Sequence, residues 1–385
     1  MILAAFAVFS ARSVTHGFVA YYAASRLLVD GRLGPSAYDD AWFGEVVRQL
    51  TASNVREIFT PNPPTMALMA LPIAWLDAQP ARTVWLMSSL LAFIAGVSAL
   101  VRQQARHNRD VPVPVLLLML LAPAVFSNLR VGQGYLIVFA LFAAAIVLLG
   151  RRRDAMAGFA LGVLLGLKTS GTALVAVLIV QRRWRALIVA AACAALLALA
   201  VTPFIDWSMW WMFPGVVRDF VQRPSGSVTA YQTTLSLFRH LCIADPTWNP
   251  MPAANCAPIA FVVPSALLAT ALAVTLYLVH WAPANPAGLA AGATLSLLAL
   301  PTSAEVHFVL LAIPLAMIRL RPVELLVIAA LVIVPLEWTA ERFTAGWAAI
   351  LAYPRLYAAW LLWAACIREL WSRHQPGHVD YGVGG

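Results

Sequence analysis

Charge is what this sequence has least of. Only 11% of its 385 residues are Asp, Glu, Lys or Arg, against roughly 25% in a soluble domain, while 62% are hydrophobic and the mean hydropathy is +0.80. That scarcity excludes a soluble enzyme, a coiled coil and a disordered chain. Lysine is nearly absent: Lys168 is the single one, and the other basic residues are arginine. Most arginines stand in twos and threes at the ends of apolar runs, so the net charge of +9 is an orientation signal and no nucleic-acid partner is expected. The four cysteines form no CxxC and no Cys/His cluster, so no metal site is expected. Cys193 and Cys366 lie inside apolar runs. Cys242 and Cys256 share a polar loop, where a disulfide and two free thiols both remain open. Met1 to Ala11 lacks the basic region and cleavage site of a signal peptide. It is also short for a span, so the first helix is expected to continue through Tyr21 and Tyr22, or to have its true start upstream.

What the sequence does have is apolar runs of about 12 to 22 residues, the length scale of a hydrocarbon slab about 30 Å thick. The fold class is therefore an all-α polytopic membrane protein, a single integral membrane domain over residues 1–385. The clusters Arg102-Arg106-Arg109, Arg151-Arg152-Arg153, Arg182-Arg183-Arg185, Arg319-Arg321 and Arg368-Arg373 go to the cytoplasm. Pairing the runs between them gives about 12 helices with both termini inside, external loops 1 (about 23–79) and 4 (about 205–258), and a cytoplasmic tail 368–385. The expected location is the plasma membrane, the inner membrane of a bacterium. Only 28 residues separate Arg153 from Arg182, too few for two full spans. Two short helices meeting at Leu167-Lys168-Thr169-Ser170-Gly171 are expected, with irregular backbone that lines a cavity; a single tilted helix is the alternative. Trp207, Trp210 and Trp211 predict an interfacial helix in the fourth loop. The acidic residues, Glu57 among them, fall almost entirely on the outer side, so any chemistry faces out.

Several residues could carry that chemistry. Lys168, beside a helix break, offers a compact cation to a phosphate, or snorkels at an interface. His307 with Glu305 could orient a phosphate or move a proton, or cap a helix. Arg130 and Gln133 at an external hairpin tip, and Gln232 with Arg239 in the fourth loop, are donors for phosphate or sugar hydroxyls. Asp39 and Asp40 are the nearest thing to a paired carboxylate and the candidate general base; capping the helix after them is the plain alternative. Asn62-Pro63-Pro64 fixes an extended kink.

The order of these features resembles the membrane-embedded GT-C glycosyltransferases of family 87. The resemblance rests on Tyr21 to Ala24, Gly31, Tyr38-Asp39, Asn62-Pro63-Pro64, Gly132-Gln133, the run Gly158, Gly162, Gly166, Lys168, then Gln232 to Leu235 with Arg239, and His307, over about residues 15 to 320. It implies a GT-C-type bundle and inverting transfer of a hexose, commonly mannose, from a polyprenyl-phosphate sugar to a lipid-linked or envelope glycan hydroxyl on the non-cytoplasmic face. The lipid-linked sugar is then a substrate, the acceptor a glycolipid or glycan, and no cofactor is implied. Asp40 or Asp39 would be the base, His307 a catalytic partner, and Lys168, Arg130, Gln133, Gln232, Arg239, Glu305 and Asn62 would hold donor phosphate and sugar. The family pattern places an aspartate just before the aromatic stretch, where this sequence has Gly17. His16 is a possible substitute base; a lipid-sugar flippase or an inactive binding subunit is the competing reading.

Overall fold

The computed structural model describes residues 1–106, 110–168 and 170–372. Arg109, Thr169, Arg373 and the tail after Ser372 lie outside the described residues. In chain order the helices are α1 (Ile2–Ser10), α2 (Phe18–Val29), α3 (Asp40–Thr51), α4 (Ala78–Ala105), α5 (Val113–Leu121), α6 (Pro123–Val131), α7 (Tyr135–Gly150), α8 (Asp154–Lys168) and α9 (Thr172–Val180). They continue as α10 (Trp184–Val201), α11 (Ser208–Gln222), α12 (Thr234–Cys242), α13 (Ala257–Trp281), α14 (Pro286–Leu298), α15 (Ala312–Met317), α16 (Pro322–Ile333), α17 (Leu336–Arg342) and α18 (Pro354–Ser372).

Four stretches are long and apolar enough to cross a membrane: Ala78–Ala105, Val113–Val131, Trp184–Phe204 and Ala257–Trp281. Two bent pairs, α16 with α17 and Gly346–Ala352 with α18, raise the number to six. The expected count of about 12 is not reached among the described residues. Several apolar runs became short helices enclosed by protein: every residue of α14 from Ala287 to Leu298 is buried. A helix wrapped by neighbours can stop short of the bilayer thickness, because its ends find protein partners. Within the second stretch Pro123 lacks the amide that would continue the ladder, and Ala122 before it is extended at ψ 140.

The hydrophobic residues fall mainly into two bodies. The larger is built from α4 to α10 with α13 to α16 and α18, joined by Ala7 of α1. The smaller packs α2, α3, the 3-10 turns Pro35–Tyr38 and Pro64–Leu68, and the start of α4 against Val201 and Met209. What was expected as an open first loop is therefore a folded body that starts earlier. The first helix also does not run on: α1 ends at Ser10, and Tyr21 and Tyr22 belong to α2, which starts after Gly17 at φ +81.

The short hairpin between the arginine clusters is present as α8 and α9, with Gly171 at φ +97 before α9. Close packing holds it. A Cβ at Gly158 would lie 2.3 Å from the Ala186 carbonyl oxygen, and one at Gly162 2.5 Å from that of Ala190. The small-residue stripe thus lets α8 and α10 touch through their backbones, and it fixes the height at which Lys168 ends α8. Gly162→Val is expected to cost about 1–3 kcal/mol through overpacking. The check is the thermal midpoint of purified protein in detergent, and an unchanged midpoint would show that the two helices part freely.

Candidate active site

A cavity of about 690 Å³ lies where the two bodies meet. Lys168 enters it from the last residue of α8, next to carbonyls that favour a cation at a helix C-terminus. Its Nζ donates to Asn62 Oδ1 at 2.9 Å and stands 4.8 Å from the Tyr21 ring and 5.4 Å from the Tyr135 ring, a cation–π setting on two sides. Asn62 is held in turn, because its Nδ2 donates to the Phe59 carbonyl at 2.7 Å. The Pro63-Pro64 kink then brings Thr65 to α8, where its hydroxyl donates to the Gly166 carbonyl.

His307 lines the same cavity, its ring centroid 4.0 Å from that of Tyr135. Its Nδ1 lies 3.1 Å from the Ala304 carbonyl. A carbonyl can only accept, so Nδ1 carries the proton and a neutral ring leaves Nε2 as an acceptor.

The carboxylate of the cavity is Glu57. Its Oε2 accepts from the Gly17 amide at 2.7 Å, and its Oε1 from its neighbour Ile58 at 3.1 Å. Gly17 has no room for a side chain: a Cβ would meet the Val131 carbonyl at 2.8 Å and Gln133 Nε2 at 3.0 Å. Gln133 is oriented by the Tyr21 hydroxyl, which donates to its Oε1 at 2.7 Å. His16 stands at the rim, two-thirds exposed, with Nδ1 3.8 Å from Glu57 Oε2.

The opposite wall is α11, a helix where the sequence predicted one. Phe213, Val217 and Phe220 face the cavity while Trp207 and Trp211 are exposed. Tyr231 and the turn Leu300 to Thr302 complete the lining. Burial pushes the Tyr231 phenol above its ordinary value, with nearby Arg223 opposing, so it remains a hydroxyl donor at neutral pH.

Lys168, His307, Gln133 and Asn62 therefore come together, as the sequence suggested. The other candidates do not line the cavity. Asp39 caps α3, accepting from the Ala41 and Trp42 amides at 2.9 Å each. Asp40 pairs with Arg223 at 2.6 Å and so ties α3 to the end of α11. Glu305 pairs with Arg355, which is 1% exposed. Gln232 spends its side chain on the Thr229 and Ala352 carbonyls and the Arg355 amide. Arg239 donates to the carbonyls of Val221, Gln222 and Arg223, capping α11. Arg130 is exposed; its carbonyl accepts from Thr15 and Arg82, and its side chain has no partner among the described residues. Cys242 and Cys256 form a disulfide. Sequence reasoning missed Glu57 and the tyrosines 21, 135 and 231. The usable signal for Glu57 was its place three residues before Thr60-Pro61-Asn62, the kink that reaches Lys168.

A family model for glycosyltransferase family 87 matches residues 59–301, more than half of the chain. The chain belongs to glycosyltransferase family 87. No curated protein and no solved structure matches it. The matched span of this family 87 glycosyltransferase contains Asn62, Gln133, Tyr135, Lys168 and Tyr231, while Gly17, Glu57 and His307 lie outside it. The Asp40 to Arg223 pair is about one-third exposed on each side, so it contributes less than about 1 kcal/mol. Asp40→Asn is expected to leave folded yield intact and sugar transfer within a few-fold of wild type. Loss of transfer from well-folded Asp40→Asn protein would return that residue to the chemistry.

Proposed function

We propose that this glycosyltransferase moves a hexose, mannose in the first instance, from a polyprenyl-phosphate sugar to a hydroxyl of a lipid-linked or envelope glycan, with inversion, at the non-cytoplasmic face of the plasma membrane. The observation that carries the reading is the meeting of Glu57, Lys168 and His307 in one cavity whose far wall is formed by Phe213, Val217 and Phe220 of α11. A carboxylate, a cation and an imidazole acceptor are the groups that such a transfer needs.

In this mechanism the Glu57 carboxylate takes the proton of the acceptor hydroxyl as its oxygen attacks the anomeric carbon. The bond from that carbon to the phosphate oxygen breaks, and its electron pair leaves with the polyprenyl phosphate. The Lys168 ammonium balances the charge gathering on that phosphate, worth more in a cavity walled by aromatic rings than in water. His307 Nε2 accepts from a sugar hydroxyl, and the amides of Gln133 and Asn62 and the Tyr231 hydroxyl fix the remaining sugar oxygens. Gly17 is a positioning residue: its amide holds Glu57 Oε2 in place.

The test is transfer of label from radiolabelled polyprenyl-phosphate mannose to a lipid extract by membrane-reconstituted protein. Glu57→Gln, which keeps shape and loses the base, is expected to lower kcat by about 10²–10⁴ with donor KM little changed. Lys168→Met keeps the apolar stem between the tyrosines and is expected chiefly to raise donor KM. Full activity in Glu57→Gln would remove the proposed base. Silence of the wild type with mannose, glucose and arabinose donors would overturn the reading.

A further inference from the structure

At the arginine-rich end of the bundle is a second cavity, of about 390 Å³. It is separate from the first. The helix α8 has its first residue, Asp154, paired at 2.6 Å with Arg183 of the second cavity's wall and its last, Lys168, in the first, and its 15 residues span roughly 22 Å. Nothing in the transfer chemistry uses this second space.

Its lining is mixed in chemistry. Leu100, Leu289 and Met317 supply apolar surface and Gln104, Arg152 and Gln181 polar groups, with no carboxylate among the lining residues described. Arg183 is already engaged, by Asp154 and the Leu149 carbonyl. Two polar groups are unanswered. The Arg152 guanidinium, on an exposed residue at the edge of the cavity, has no hydrogen-bond or ion-pair partner among the described residues and is open to a ligand from outside. Gln181 Oε1 is buried and receives no hydrogen bond, although its Nε2 is fixed on the Pro283 carbonyl at 2.8 Å. A buried acceptor left open calls for an explanation, since leaving it unmade is costly.

The backbone adds an independent observation. Arg152 sits at φ +58, in the left-handed region where glycine is the unstrained choice. It caps α7 there, its amide donating to the Leu149 carbonyl at 3.1 Å. A turn that glycine would close without strain carries instead a long cation at the mouth of a cavity.

We propose that this cavity binds the headgroup of an anionic glycerophospholipid, its phosphate at Arg152 and a headgroup hydroxyl donating to Gln181 Oε1, with the first acyl carbons along Leu100, Leu289 and Met317. A phosphate answers the unpaired guanidinium through charge-assisted hydrogen bonds. A headgroup with a donor answers the orphan acceptor, which phosphate alone does not. The lipid occupies the leaflet at the arginine-rich end, where anionic headgroups meet basic side chains.

Native mass spectrometry of the delipidated full-length protein, titrated with phosphatidylglycerol, tests this. Arg152→Gly removes the guanidinium while relieving the left-handed strain, so its fold is expected to be kept, with an unchanged or higher thermal midpoint. Phosphatidylglycerol affinity is expected to fall at least tenfold in Arg152→Gly and severalfold in Gln181→Leu. Diacylglycerol, without phosphate, and glycerol 3-phosphate, without chains, are each expected to bind at least tenfold more weakly than the lipid. Equal lipid retention by Arg152→Gly and wild type would overturn the site. Diacylglycerol binding as tightly as phosphatidylglycerol would overturn the phosphate contact, and glycerol 3-phosphate doing so would overturn the lipid as the source.

Discussion

The joint between the two hydrophobic bodies is held by one fully buried guanidinium. Arg82, on α4, donates to the Ser10 carbonyl at the end of α1 and, at 2.7 Å, to the Arg130 carbonyl at the end of α6. No carboxylate pairs with it among the described residues; its counter-charge is the pair of negative helix ends it touches. One turn further along α4, the Trp85 indole donates to the Gly132 carbonyl at 2.8 Å. Together they fix the turn at residues 132–134 against the start of α2. That is where Gly17, Tyr21 and Gln133 meet. Breaking this joint would take the Arg82 donors from the Ser10 carbonyl and leave the Arg130 carbonyl with Thr15 alone.

The same joint explains why the carboxylate arrives from a distance. With the Val131 carbonyl and Gln133 pressed against Gly17, position 17 offers only backbone. Its amide is then a free donor at the cavity wall, and Glu57, forty residues later, supplies the acceptor. A side chain reaching in from outside is held at its carboxylate end instead of at its root. Such a group is placed by the contact between the two bodies, so its geometry depends on the whole joint and not on one helix.

The sequence made the helical class, the broken α8 and α9 hairpin and the helix α11 legible, because apolar run length, arginine clusters and tryptophan spacing are local properties. The expected count of about 12 is not confirmed among the described residues, since a run such as α14 looks the same whether lipid or protein surrounds it. Within the site, Lys168 and His307 stood out as rare ionisable residues in apolar runs. Asp39 and Asp40 stood out equally but do not line the cavity: the helix cap at Asp39 was the plain alternative the sequence offered, whereas the ion pair of Asp40 to Arg223, 183 residues away, leaves no mark in sequence. Glu57 was hidden for the complementary reason. It sits in an ordinary polar segment, and only the meeting of chain parts distant in sequence makes it a cavity residue.

The near-absence of lysine has a physical meaning once the cations are placed. The buried arginines 82 and 239 spend their planar, multiply donating groups on backbone carbonyls at helix ends, and Arg355 spends its own on Glu305. Capping several carbonyls at once is a task for a rigid fork of donors. The cavity needs something else. In the proposed transfer a departing phosphate changes its charge as the bond breaks, and a compact ammonium on a flexible stem can follow it where a guanidinium clamped to carbonyls cannot. The fold therefore assigns arginine to structure and its one lysine to the site, cushioned by Tyr21 and Tyr135, whose faces stabilise the charge without neutralising it.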